Sequence, residues 1–163
     1  MNIFVLKSSS IFDKTIFLSI LLIDEKNNHE YFLHKYNVSN NLKDDLNLIT
    51  KNYLNSLENK NFFKKDLKKN IFYFGKKHLE LLSLVCFSIN KKIKLDDYLD
   101  ILNNIKKISL PQFPFDGNYL IDKGIKEGKS VGKTLKLIQD EWLNNGFNIS
   151  NQRISEIIDK KKN

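Results

Sequence analysis

Apolar residues in this chain recur at intervals of three and four, and no segment alternates at period two for long enough to build a sheet. That spacing places successive apolar side chains on one face of an α-helix, which restricts the chain to an all-α fold. Leu42, Leu46, Ile49, Tyr53 and Leu57 step by four, three, four and four. Ser39 is placed to cap the start of that helix through its hydroxyl. Leu67, Ile71, Phe74, His78, Leu81, Val85 and Ile89 continue the pattern as one further helix, and Leu95, Tyr98, Leu102 and Ile105 make a shorter one.

The chain has two prolines, Pro111 and Pro114, and each disfavours helix in the residue before it. We place the boundary there, with a helical body region at 1–110 and a C-terminal tail domain at 111–163. In the tail, Gly117 to Lys123 predicts a short helix and Gly124-Ile125-Lys126-Glu127-Gly128 a turn. Val131, Leu135, Ile138 and Trp142 then share one face of a longer helix, which Gly146 ends as a left-handed C-terminal cap. Ser150 is placed to cap a last helix carrying Ile154, Ile157 and Ile158, and Lys160, Lys161 and Lys162 complement its dipole. The tail therefore reads as a small helix–hairpin–helix-like arrangement.

Length and composition are those of a globular protein: 163 residues, 41% hydrophobic and 28% charged. The formal net charge is +8. Of this, +6 falls in residues 1–110 and +2 in 111–163. A polyanionic partner is the functional reading of that excess. A compositional one stands beside it, because Arg153 is the only arginine and Asn is abundant, as in AT-rich coding sequence. The lone Cys86 lies in an apolar run and reads as a buried spacer, with no internal disulfide. His29, His34 and His78 have no metal-ligand spacing. The apolar stretch Ile16–Ile23 is too short to span a bilayer. It runs into Asp24-Glu25-Lys26 rather than a small-residue cleavage site, so the expected setting is cytoplasmic, without a membrane.

Gly128-Lys129-Ser130 and Gly132-Lys133-Thr134 each end like a phosphate loop. Each is one residue short of the required spacing after its preceding glycine, and a short helix rather than a strand precedes them. The hairpin reading suits the same residues better. Gly124 and Gly128 permit a sharp reversal, and the helix starting near Lys129 offers free N–H groups and a positive dipole end to a phosphate. Candidate RNA-binding residues are thus Gly124, Lys126, Gly128, Lys129, Lys133 and Lys136, with Lys64, Lys65, Lys68 and Lys69 as a second set in the body. The bland alternative is an amphipathic helix with a solvated lysine face. No catalytic constellation and no metal site is identified. The pairs Asp44-Asp45 and Asp96-Asp97 diverge on a helix.

Phe113-Pro114-Phe115-Asp116-Gly117-Asn118-Tyr119-Leu120-Ile121, then Gly124-Ile125-Lys126-Glu127-Gly128, then Val131-Gly132-Lys133-Thr134-Leu135 and Glu141-Trp142 form a series of matching segments. It resembles the C-terminal end of bacterial class II tRNA nucleotidyltransferases, the CCA-adding enzymes of the poly(A) polymerase family, in their alphaproteobacterial form. Tyr36-Asn37-Val38-Ser39-Asn40 and Phe72-Tyr73-Phe74-Gly75 with Leu79–Leu84 resemble the family's body more loosely. The chain departs from the family at Tyr119, where aspartate is usual, and at Glu127 and Lys129, where proline is usual. The family's catalytic head, with its Gly-rich segment, metal-binding aspartates and arginine motifs, has no counterpart here. The resemblance therefore implies a tRNA-binding body and tail from a shortened or split gene. A separate head polypeptide would use Mg²⁺, CTP and ATP for tRNA 3′-end processing, and this chain would bind no cofactor itself. A standalone nucleic-acid-binding adaptor and an inactive remnant are the alternatives.

Overall fold

The structure, a computed structural model, describes residues 14–24 and 28–162. Among these residues the fold is all-α, with eight helices and no strand. They are α1 (Lys14–Leu22), α2 (Asn28–Lys35), α3 (Asn40–Glu58), α4 (Leu67–Ile89), α5 (Leu95–Lys107), α6 (Gly117–Asp122), α7 (Lys129–Asn144) and α8 (Asn151–Lys162). The chain divides into two compact units, residues 1–108 and 109–163.

In the first unit α1 packs on α2, α3 and α4, α3 on α2 and α4, and α4 on α5. The apolar stripes meet there: Leu46 and Ile49 of α3, Leu79, Leu82 and Val85 of α4, Ile16 of α1 and Ile105 of α5 are buried. Burying a side chain of this kind contributes about 1.5–3 kcal/mol. Ser39 caps α3, its Oγ accepting the N–H of Leu42 at 3.4 Å. Buried hydroxyls are satisfied inside their own helices: Thr50 Oγ1 donates to the Leu46 carbonyl at 2.8 Å and Ser19 Oγ to that of Thr15 at 2.6 Å. Phe87 and Tyr98 stack with centroids 4.8 Å apart and join α4 to α5. Cys86 is buried, and burial pushes its thiol up to about 11.

Two features differ from the sequence expectation. The helix read as continuous over Leu67–Ile89 breaks at Gly75, whose φ of 79° and ψ of 157° are not helical. A Cβ at Gly75 would meet nothing within 4 Å, so the glycine is needed for its dihedral and not for space. Helices α1 and α2 were not read from spacing. In the first, Thr15 and Ser19 are buried while Phe17 and Leu21 are exposed, so polarity does not mark its outer face; the second is short and mostly polar.

In the second unit Leu120, Ile125, Ile138, Ile154, Ile157 and Ile158 form a core, with Phe113, Phe115, Val131 and Leu135 packed against it. Asp116 caps α6, its Oδ1 accepting the N–H of Tyr119 at 2.9 Å. Both α6 and α7 end in the same way. At the end of α6, Gly124 takes a φ of 92° and the N–H of Ile125 reaches back to the Leu120 carbonyl at 3.0 Å. At the end of α7, Gly146 takes a φ of 69° and the N–H of Phe147 reaches the Trp142 carbonyl at 2.8 Å. These are Schellman closures, a left-handed glycine followed by an apolar residue that packs back on the last turn. The Phe147 ring lies 4.9 Å from that of Trp142, and Ile125 and Leu120 share the core. Arg153 of α8 holds α7 through a two-pronged bridge to Glu141 and pairs with Glu156 at 2.9 Å within its own helix.

Candidate nucleic-acid interface

Lys126, Lys129, Lys133 and Lys136 are all exposed. Lys126 stands in the turn, Lys129 is the first residue of α7, and Lys129, Lys133 and Lys136 follow one helical row. Gly128 occupies the N-cap with a φ of 113° and no side chain caps the helix there. The Ser130 hydroxyl donates back to the Lys126 carbonyl and braces the reversal. Acidic groups also stand nearby: Glu127 is exposed in the turn, and Asp140 continues the lysine row one turn beyond Lys136.

The second set belongs to the other unit. Lys64 and Lys65 lie in the turn ahead of α4, and Lys68 and Lys69 in its first helical turn. Lys64, Lys65 and Lys68 are exposed, and Lys69 is half-buried. Two asparagines build that turn. Asn59 Nδ2 donates to Asp66 Oδ2 and Asn70 Nδ2 to the Phe62 carbonyl, both at 2.8 Å. Asp66 stands at the N-cap of α4 without capping it.

Position on the helix distinguishes these lysines from the charges of α2 and α5. α5 carries Asp96 and Asp97 in its first turn and Lys106 and Lys107 in its last, and α2 carries Glu30 first and His34 and Lys35 last. That order matches the helix dipole. Lys76 goes further and donates to the Lys106 carbonyl at 2.8 Å, serving a carbonyl at the open end of α5. α4 and α7 carry lysines and no acid in the first turn, although Asp66 holds the N-cap position of α4; α1 and α8 likewise start with a cation, Lys14 and Arg153, and no first-turn acid. A cation at the positive end of a helix opposes the dipole by about 0.3–1 kcal/mol. A helix start that lacks a first-turn acid and carries lysines is open to an anion.

Sequence reasoning passed over a third group. Lys35 Nζ lies 5.5 Å from the centroid of Tyr31 and 5.7 Å from that of Tyr36. The two tyrosines are 63% and 51% exposed. Exposed rings flanking a cation can stack on unpaired bases. The signal was available, because Tyr31 and Lys35 stand four apart, but helix α2 had to be recognised first. Among the described residues no group of three or more His, Cys, Asp or Glu gathers as metal ligands, and no helix is long and apolar enough to cross a membrane.

No family model matches the chain, no curated protein matches it, and no solved structure matches it. The identification as a tRNA nucleotidyltransferase of the CCA-adding, poly(A) polymerase family is therefore withdrawn. The expectations of a catalytic head in trans and of CTP and ATP go with it. The structure supplies a physical reason why the motif misleads. Its Gly124-Ile125 pair is the left-handed glycine and apolar residue of a Schellman closure, and Gly128 is an N-cap held at positive φ. A left-handed glycine followed by an apolar residue is a common helix ending, and Gly146-Phe147 repeats the first pair at the end of α7.

Proposed function

We propose that the chain is an RNA-binding protein that holds folded RNA, with tRNA as the ligand to test first, mainly through backbone phosphates. The observation that carries this reading is the run of lysines at the starts of α4 and α7, where no acid stands in the first helical turn. Lysine is a point charge that attracts phosphate with little base preference. The only arginine is engaged with Glu141 and Glu156, so the candidate cations of the interface are lysines. Exposed Tyr31 and Tyr36 add surface on which an unpaired base can stack.

Filter binding of the full chain to tRNA across a salt series tests the reading. With six or more phosphates engaged, affinity falls by about 10³-fold or more between about 50 and 200 mM salt. The double variant Lys129→Ala/Lys133→Ala lowers the salt slope by about two and leaves the melting temperature within about 0.5 kcal/mol equivalent of the parent. No binding at low salt, or affinity that does not change with salt, refutes the reading. Equal affinity for tRNA and for random duplex DNA replaces it with a general nucleic-acid adaptor.

A further inference from the structure

The break in α4 borders a cavity that the lysine surfaces do not explain. Its volume is about 280 Å³, and Ile49 of α3 with Phe74 and Leu81 of α4 supply its apolar wall. Thr15 of α1, Asp45, Lys77 and His78 complete the lining. The size is at the lower edge of the range for ligand pockets, enough for one ring system and its substituents. Gly75 separates Phe74 from Lys77 and His78 with non-helical dihedrals, so these three do not follow one uninterrupted helical row.

The polar groups are few and differ in kind. Asn52 is 1% exposed, and its Nδ2 lies 3.0 Å from His78 Nε2. An amide nitrogen can only donate, so Nε2 accepts and the neutral imidazole carries its proton on Nδ1. Burial lowers the His78 pKa, against the pull of Asp45, and keeps the ring in that neutral form. Asp45 and Lys77 are both exposed and bring one acceptor and one cation to the cavity.

We propose that this cavity is a binding site for a single unstacked nucleobase with its phosphate, the base against Phe74, its edge toward Asp45 and His78, and the phosphate on Lys77. The inference deepens the RNA-binding reading and rests on it. A nucleotide presents the three features that this lining complements: a π face for an aromatic wall, an edge with donors for a carboxylate, and an anion for an ammonium. Adenine, cytosine and guanine carry an exocyclic amine that Asp45 can accept from, and uracil does not. The site therefore prefers the first three.

The test uses the full chain labelled for NMR, titrated with AMP, CMP, GMP and UMP, and in parallel with ribose 5-phosphate and phenylalanine. The expected result is saturable shifts at Ile49, Lys77, His78 and Leu81 with the nucleotides, weakest for UMP, and none with ribose 5-phosphate. Phe74→Leu should weaken AMP binding about tenfold. Asp45→Asn changes an exposed residue, so the melting temperature of the variant should stay at that of the parent, and it should narrow the gap between AMP and UMP. Ribose 5-phosphate or phenylalanine reproducing the shifts overturns the proposal, as does a nucleotide response that both variants leave unchanged or no response at these residues. tRNA binding measured on the same samples keeps the two claims apart. Salt-dependent tRNA binding without a nucleotide response removes the pocket alone, and loss of salt-dependent tRNA binding removes the reading beneath it.

Discussion

The two units place their basic residues in contrasting chemical situations. In the second, Arg153 closes a bridge between α7 and α8 and draws the Glu141 carboxyl below its usual range, while the lysines stand apart at the head of α7. In the first, which has no arginine, lysines do several jobs: Lys76 serves a carbonyl near the end of α5, Lys35 lies between two tyrosine rings, and Lys68 and Lys69 crowd the start of α4. A cation's role follows from its distance to an acceptor and from which end of a helix it occupies. Net charge carries neither fact. The units also use glycine differently. In the second, Gly124 and Gly146 end helices where an apolar neighbour can lock the closure and Gly128 begins one; in the first, Gly75 interrupts a helix beside a cavity.

The comparison can be broken most directly in the cores. Ile138 is fully buried in the second unit, and Ile138→Ala should cost about 2–5 kcal/mol. Trp142 is the only tryptophan and lies in that unit, so its fluorescence reports the loss there. Leu82→Ala in α4 should cost a similar amount, read by amide exchange of the α4 and α5 backbone. If Ile138→Ala leaves the Trp142 transition in place, the core assigned to this unit is wrong.

Glycine substitutions sharpen the contrast at an intermediate scale. Gly124→Ala and Gly146→Ala force a Cβ into the left-handed region and should each cost about 1–2 kcal/mol. Gly132 sits inside α7, and a Cβ there would meet nothing within 4 Å, so Gly132→Ala should stabilise by about 0.5–1 kcal/mol. Thermal melts of the three variants check the opposite signs. Gly124→Ala and Gly146→Ala that do not destabilise would mean that the closures do not hold the helix ends.

Acid should affect the units in sequence, with the smallest effects. The His78 pKa is lowered in the fold, so its share of stability is present above 6.5 and is lost as pH falls below that value. The Glu141 pKa is also lowered, but from 4.5, so the bridge to Arg153 stays complete until more acidic pH and is lost as the carboxyl takes its proton. Amide exchange should therefore rise around Asn52 and His78 before the Trp142 signal responds. Glu141→Gln should remove the later step, and His78→Gln the earlier one.

Much of the local structure was legible. The starts and ends of α3 and of α5 to α8 follow from windows of contiguous residues, because helical period, the Ser39 and Ser150 hydroxyls and the Gly146 closure all act within a few positions along the chain. Asp116 could have been read as a cap in the same way. The break at Gly75 was not legible, since an isolated glycine inside a helical pattern is usually tolerated there. The motif at 124–128 was legible as a turn and misled as a family signature, because turn geometry constrains the same residue types.

Residue identities thus determined which segments from α3 onward are helical, where several of them start or stop, and which lysines stand near a helix end. Each is a property of neighbours joined by a few peptide bonds. Tertiary structure alone decided that Ile49, Phe74 and His78 share one cavity, that Asn52 and Thr134 are buried among apolar residues, and that Arg153 reaches Glu141. Those contacts join positions up to dozens of residues apart, and no periodicity encodes which face of one helix meets another. Packing makes that choice, because excluding water from all the apolar stripes at once leaves few arrangements, and the small space left at a broken helix is part of the arrangement adopted.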